Sequence, residues 1–222
     1  MEKLDNLVWH CLHETHRDLA LDYGNLMCYH PDFCPFGAFI GNDDLSAPLM
    51  DHANVAGPFF VIGNKPQFSN GVNFKGELLC VQMILENPID RPVQEEIIPL
   101  NGQYEDELFA FMQRFYPSFF KRKTSLLGDY FGIFKENELI AVTGERMQMD
   151  GYTEVSAVVT HTDHLGKGYA KQLVAHTANN IFRKNNIPFL HTNADSAKNI
   201  ELYEKLGFKI RWEMSLWRFE PY

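Results

Sequence analysis

Leu165-Gly166-Lys167-Gly168-Tyr169-Ala170 separates the apolar run Val155-Ser156-Ala157-Val158-Val159 from a helix-patterned segment, Ala170 to Arg183. A strand that feeds a glycine turn and then opens a helix is a device for holding phosphate. Glycine lets backbone N–H groups approach an anion closely, and the unpaired N–H groups of a helix's first turn point at it. Two glycines at a helix start commonly make only a tight turn, so the pattern gains weight from its neighbour. About 35 residues on stands Ile200-Glu201-Leu202-Tyr203-Glu204-Lys205-Leu206-Gly207-Phe208.

Outward from this stretch, the second half of the chain alternates strands and helices. A hairpin is expected from Tyr130-Phe131-Gly132-Ile133-Phe134 and Leu139-Ile140-Ala141-Val142, turning at Glu136-Asn137-Glu138. Further strands are expected at 153–160, 188–193 and 208–218, and helices at 106–116, 168–185 and 197–206. The first half reads as a helix over Asn6 to His16, then short apolar strands at Phe59–Ile62 and Leu78–Leu85. Turn formers bound them: Gly41-Asn42-Asp43-Asp44, Ala56-Gly57-Pro58, Gly63-Asn64-Lys65-Pro66 and Ser69-Asn70-Gly71. Pro88, Pro92 and Pro99 mark the join. The expected partition is residues 1–95, a region without a nameable signature, and residues 96–222. The fold class expected is α/β (α+β), a mixed central β-sheet flanked by helices.

Composition narrows the possibilities. The chain has 222 residues, 45% of them hydrophobic, and a formal net charge of −9. Residues 1–100 hold 14 acidic against 5 basic side chains, while residues 101–222 hold 15 of each. An acidic first half with no basic stripe argues against a nucleic-acid partner. The balanced second half is the better host for a polyanionic ligand. No apolar run reaches the roughly 18 residues of a membrane span, and Met1-Glu2-Lys3-Leu4-Asp5-Asn6 lacks the pattern of a secretory signal. The expectation is therefore a cytoplasmic protein with no membrane partner. Without a secretory signal, Cys11, Cys28, Cys34 and Cys80 are expected as reduced thiols. The run His10-Cys11-Leu12-His13-Glu14-Thr15-His16 lacks a four-ligand spacing and reads as a polar helix face, so no metal is expected.

The glycine turn and the Tyr203 segment, in this order and spacing, resemble the acyl-CoA-binding half of the GCN5-related N-acetyltransferases (GNAT). Gly144-Glu145-Arg146-Met147 and Gly151-Tyr152-Thr153-Glu154-Val155-Ser156-Ala157-Val158 are similar to the FR47-like branch. The resemblance covers roughly residues 100–218. It implies a GNAT fold for residues 96–222, with residues 1–95 as an additional N-terminal α/β region, and acetyl-CoA as co-substrate. In the family pattern Arg/Gln-x-x-Gly-x-Gly/Ala, backbone amides hold the CoA pyrophosphate. Gly168 and Ala170 match its small positions, and Leu165 stands where Arg or Gln is usual. The resemblance thus implies a pyrophosphate loop of Gly166, Lys167, Gly168, Tyr169, Ala170 and Lys171, and a pantetheine contact along Val158, Val159 and Thr160. It also implies cofactor contacts at Asn199 and at Ser196, which occupies the family's asparagine position.

Tyr203 aligns with the family's tyrosine near the CoA sulfur, where a phenol can protonate the departing thiolate. An amine acceptor arrives protonated at neutral pH and must lose a proton before it attacks. Two residues are candidates for that base. Glu154 lies eleven residues before Leu165, the offset of the glutamate base in histone-type members. His191 matches a base position of ribosomal-protein acetylating members, and an unperturbed histidine titrates near pH 6.5. Glu145, on a neighbouring strand, is a third choice. The aromatic run Phe109, Phe111, Phe115, Tyr116, Phe119 and Phe120 reads as helix core, with the Pro117-Ser118-Phe119-Phe120 corner available as an acceptor wall. The implied activity is transfer of an acetyl group from acetyl-CoA to a small-molecule or protein amine by direct attack in a ternary complex. The alternative is a non-catalytic acyl-CoA-binding or sensing module.

Overall fold

Glu136 and Asn137 both adopt left-handed backbone, with φ of 51° and 65°. That is the two-residue turn geometry that matches the twist of paired strands. It joins β7 (Tyr130–Lys135) to β8 (Glu138–Met149). In the computed structural model, which describes residues 2–69 and 71–222, the rest of the second half follows the expected order. It comprises β9 (Tyr152–Thr160), α4 (Tyr169–Arg183), β10 (Ile187–Asn193), α5 (Ala197–Glu204) and β11 (Lys209–Glu220). Met1 and Asn70, the centre of the expected Ser69-Asn70-Gly71 turn, lie outside the described residues.

Before these come α1 (Leu7–His13), β1 (Ala20–Asp22), β2 (Leu26–Tyr29), β3 (Phe36–Phe39) and α2 (Ser46–Ala56). They are followed by β4 (Phe59–Ile62), β5 (Asn73–Ile84), β6 (Ile98–Pro99) and α3 (Glu105–Phe115). The first helix is shorter than its expected span, Asn6 to His16, because Asn6 closes a 3-10 turn and Glu14 leaves helical backbone, with φ of −112° and ψ of −102°. Helix α2 has no counterpart in the sequence reading. Its start is set by Asp44, whose carboxylate accepts the Ser46 N–H at 2.7 Å. Pro48 falls in its first turn, where a missing N–H leaves no helix bond unmade.

Among the described residues the strands form one sheet in the order β1-β2-β3-β4-β11-β5-β10-β9-β8-β7-β6. The β3–β4 and β10–β9 pairs are parallel and the others antiparallel, so the sheet is mixed. Strand β5, from before residue 95, lies between β11 and β10, from after it. The two sequence regions therefore share one sheet.

Both faces are covered. Val174, Ala178 and Ile181 of α4 pack on Val155, Leu190 and Phe208. On the other face Leu7, Val8, Cys11 and Leu12 of α1 pack on Met147, Met149 and Phe189. Each Val, Leu, Ile, Phe or Met among these contributes about 1.5–3 kcal/mol by leaving water. The four cysteines are free and buried.

One close approach fixes the β7–β8 pair. Gly144 lies directly across from Tyr130, and a Cβ on it would sit 2.3 Å from the buried Tyr130 ring. Gly144→Ala is expected to cost about 1–3 kcal/mol through overpacking, read as a lowered denaturation midpoint with an unchanged m-value.

Candidate active site

Strand β9 pairs with β8 throughout and with β10 only at its start. Its first residues pair with β10, through Tyr152, Thr153 and Glu154 opposite Ile187, Pro188 and Phe189. Beyond these, β10 stays on β5 as far as Asn193 opposite Cys80, whereas β9 stays on β8 as far as Thr160 opposite Ala141. A bulge accompanies the separation. Val142 faces Val159 and Gly144 faces Ser156, so Ala157 and Val158 together oppose Thr143. Ala157 has φ of 52°, a conformation that costs a non-glycine residue about 1–2 kcal/mol.

Two cavities occupy the cleft that results. The outer one, of about 340 Å³, is lined by Thr160, Gly166, Gly168, Tyr169, Ala170 and Lys171, among others. Gly166 and Gly168 are left-handed, with φ of 79° and 82°, and Gly168 immediately precedes α4. The first N–H groups of that fifteen-residue helix have no partner within the helix. The Thr160 hydroxyl is buried and without a hydrogen-bond partner among the described residues. These free donors fit the diphosphate and amide groups of an acyl-CoA.

The inner cavity, of about 420 Å³, is lined on its polar side by Arg146, Glu154, His191, Asn193, Asn199 and Tyr203. Phe36, Leu78, Tyr116, Phe119 and Leu216 line its apolar side. Val158, Asn199 and Tyr203 belong to both cavities and mark where they meet.

The inner cavity's polar floor is a connected network. The Arg146 guanidinium donates to both Glu154 oxygens, Nε at 2.9 Å and an Nη at 3.0 Å, and His191 Nδ1 lies 2.9 Å from Glu154 Oε1. Burial alone would raise the Glu154 carboxyl. The Arg146 charge beside it, with His191 hydrogen-bonded to it, outweighs burial and holds it at about 2. Gln82 accepts from Arg211 through its oxygen at 2.8 Å, so its amide nitrogen faces Leu4 O and His191 Nε2, each at 3.1 Å. This assigns the His191 proton to Nδ1, where it donates to Glu154, with Nε2 accepting from Gln82. Burial, then the neighbouring Tyr116, pushes the Tyr203 phenol well up. It therefore stays protonated, a hydrogen-bond donor at the junction of the two cavities.

The predicted residues sort by position. Tyr203, Glu154, His191, Val158, Val159 and Asn199 line the inner cavity, and Thr160, Gly166, Gly168, Tyr169, Ala170 and Lys171 line the outer one. Lys167 projects on the far side of the loop. Ser196 precedes α5 without capping it and lines neither cavity. Glu145 is buried elsewhere, bound by Lys184 at 2.7 and 2.9 Å and by Asn180 at 3.1 Å. Of the aromatic run, Tyr116 and Phe119 reach the cavity, while Phe111 and Phe120 are core.

The family model for FR47-like protein matches residues 130–217. A GNAT-family protein from Novosphingobium aromaticivorans is 27% identical with a TM-score of 0.88, over 99% of this chain and 98% of that one. The chain has the GNAT fold, and its second half is similar to the FR47-like family. Two further GNAT structures share the fold. A GCN5-related N-acetyltransferase-like protein from Streptococcus suis is 13% identical, covers 96% and 92%, and has a TM-score of 0.69. A GCN5-related N-acetyltransferase from Kribbella flavida is 12% identical, covers 98% and 96%, and has a TM-score of 0.62. No curated protein matches the sequence.

Three residues of this site escaped the sequence reading of roles: Arg146, Gln82 and Phe36. Arg146 carried a signal, a lone cation in the apolar strand Leu139–Met149 that requires a buried counter-charge. Gln82 and Phe36 carried none, since only the sheet order brings them here. Among the described residues no helix is long and apolar enough to cross a membrane. Nor do any three His, Cys, Asp or Glu side chains among them group around a metal position.

Because the folded-state carboxyl of Glu154 is depressed, its contribution to stability is present above about pH 5 and is lost as pH falls toward 2. Glu154→Gln leaves the Arg146 charge buried without its counter-ion and is expected to cost about 3–5 kcal/mol. Its stability is also expected to fall less between pH 5 and pH 2 than that of the parent. Denaturant titration across that range measures both effects.

Proposed function

We propose that the protein transfers an acetyl group from acetyl-CoA to an amine by direct attack within a ternary complex. The observation that carries this reading is the junction of the two cavities at Val158, Asn199 and Tyr203. One cavity opens on phosphate-binding backbone and the other on a polar floor with aromatic walls. A thioester at the junction supplies an activated acetyl group. Residues Gly166 to Lys171 would hold the diphosphate through free N–H groups, and the unpaired edge of β9 from Val158 to Thr160 would bind the pantetheine amides. Much of the rate would come from holding the amine against the carbonyl.

Tyr203 is assigned as proton donor. Its O–H gives a proton to the sulfur as the carbon–sulfur bond breaks and the new carbon–nitrogen bond is kept. His191 is assigned as the base, with Glu154 as its positioning partner. Glu154 is a poor acceptor of the ammonium proton because Arg146 occupies both its oxygens and holds its carboxyl at about 2. His191 has its Nδ1–H fixed by Glu154, and its Nε2 is covered only by the Gln82 amide. That amide keeps the Leu4 carbonyl as an acceptor when Nε2 takes a proton. Glu154 then stabilises the imidazolium that forms.

Acetyl-CoA binding is expected to raise the melting temperature with concentration. Gly168→Asp puts an anion against the diphosphate and is expected to abolish that rise. A full rise in this variant removes the loop from the reading.

Transfer is measured as CoA release with pooled amines. Tyr203→Phe is expected to lower turnover by roughly 10²–10⁴-fold with nearly unchanged CoA affinity. His191→Gln is expected to lower it similarly at neutral pH and to recover at alkaline pH, where the amine is already free. Parental turnover in His191→Gln at neutral pH removes His191 as base. Binding of acetyl-CoA with no release from any amine favours the sensing module instead.

A further inference from the structure

The acyl-CoA reading fixes a direction through the cleft. A ligand with its thioester at Tyr203 and its diphosphate on Gly166 to Lys171 runs outward past Gly168. A third cavity, of about 380 Å³, lies there and is lined by Asp90, Arg91, Gln94, Lys167, Gly168 and Gln172. It shares Gly168 with the outer cavity and no residue with the inner one. It therefore occupies the end of the path farthest from the chemistry.

The wall opposite the glycine loop comes from the segment that joins the two sequence regions, and that segment is strapped to α4. Asn179 accepts from Ile89 N through Oδ1 and donates back to Ile89 O through Nδ2, each at 2.9 Å. Gln172 Oε1 accepts from Gln94 N at 2.7 Å and from Glu95 N at 3.0 Å. Lys135 pairs with Glu95 at 2.5 Å. Arg91 lies between these anchors, on backbone held at both ends, next to Pro92 with its fixed φ. Its side chain is exposed and forms no ion pair among the described residues. Lys167, across the cavity, makes only a long 3.4 Å contact with His164 Nδ1.

Leu165 is exposed at the loop position where the family pattern has Arg or Gln, so positive charge at this turn must come from elsewhere. Asp90 offsets one of the two cations lining this cavity, and Lys171, on the adjacent first turn of α4, adds another.

We propose that Arg91, with Lys167, binds the ribose 3′-phosphate of coenzyme A, so that the connecting segment completes the cofactor site of the second half. The inference rests on the acyl-CoA reading above and adds to it a recognition group outside the family's loop. A guanidinium suits a phosphate monoester because it presents paired N–H donors to two oxygens at once.

3′-Dephospho-CoA lacks this phosphate and keeps the diphosphate and the thiol, so it isolates the contact. Isothermal titration of the parent is expected to give about ten-fold tighter binding of CoA than of 3′-dephospho-CoA, the scale of one charge-assisted contact. Arg91→Ala is expected to bind the two compounds equally, at the parent's affinity for 3′-dephospho-CoA. Arg91→Lys is expected to retain part of the preference. Arg91 is exposed, so an unchanged melting temperature without ligand confirms that the variants fold. Equal binding of both compounds by the parent overturns the inference alone, as does an equal loss of both in Arg91→Ala. Binding of neither compound by the parent overturns the acyl-CoA reading and this inference with it.

Discussion

Beyond Glu154, strand β9 keeps β8 on one edge through a bulge and loses β10 from the other. The left-handed Ala157 carries the strain of that bulge. Ala157 and Val142 pack in the core beneath α3, and Thr143 Oγ1 donates to Ser156 O at 3.3 Å across the bulge. Tertiary contacts thus hold a conformation that the residue alone disfavours, a frequent state of affairs at functional sites. The gap that opens contains the cavities, the unpaired edge of β9 and the approach to the glycine loop. Had β10 stayed paired with β9, Tyr203 would face a closed sheet.

The gap also needs β10 to be held on its other side, and here the first half of the chain enters. Strand β5 takes β10 and β11 as antiparallel partners, so β10 is not left as an edge when β9 departs. The same insertion carries Leu78 and Cys80 to the cavity and Gln82 to the His191 side of its network, while β3 supplies Phe36. The Arg146 guanidinium lies 4.7 Å from the Phe36 ring centre. A region with no signature of its own therefore supplies part of the inner cavity's wall and the polar group that touches His191.

Charge inside the cleft is arranged in balanced units. Arg146 and Glu154 neutralise each other out of water, which is tolerable only because both are also hydrogen-bonded. Away from the cavity, Glu145 and Asp129 share the Lys184 ammonium, with Lys184 partly exposed to solvent. The free positive charge lies at the other end of the cleft, around the glycine loop, in Lys167, Lys171 and Arg91. Under the proposed function a polyanion would be drawn to the loop, and an amine to a floor where its ammonium meets no net repulsion.

The features legible in the sequence are those that local spacing controls. The hairpin at Glu136-Asn137, the glycine turn before Tyr169 and the 3.6-residue pattern of α4 each depend on neighbours a few positions away, and each falls within two residues of its expected place. Helix α2 and the short strands β1 to β3 were not legible. Helix α2 has a weak apolar face, and strands of three or four residues show no alternation to read. Tyr203, His191 and Glu154 were singled out through the family resemblance, and all three line the inner cavity. Which of them holds a charge, and against what, depends on Arg146 from the adjacent strand and Gln82 from the other half of the chain. Those contacts arise from strand order, which follows from burying both faces of one sheet at once. Sequence determined the elements and the chemistry available to them; tertiary structure decided the partners, because partners here lie up to 129 positions apart and meet only when the sheet closes around β5.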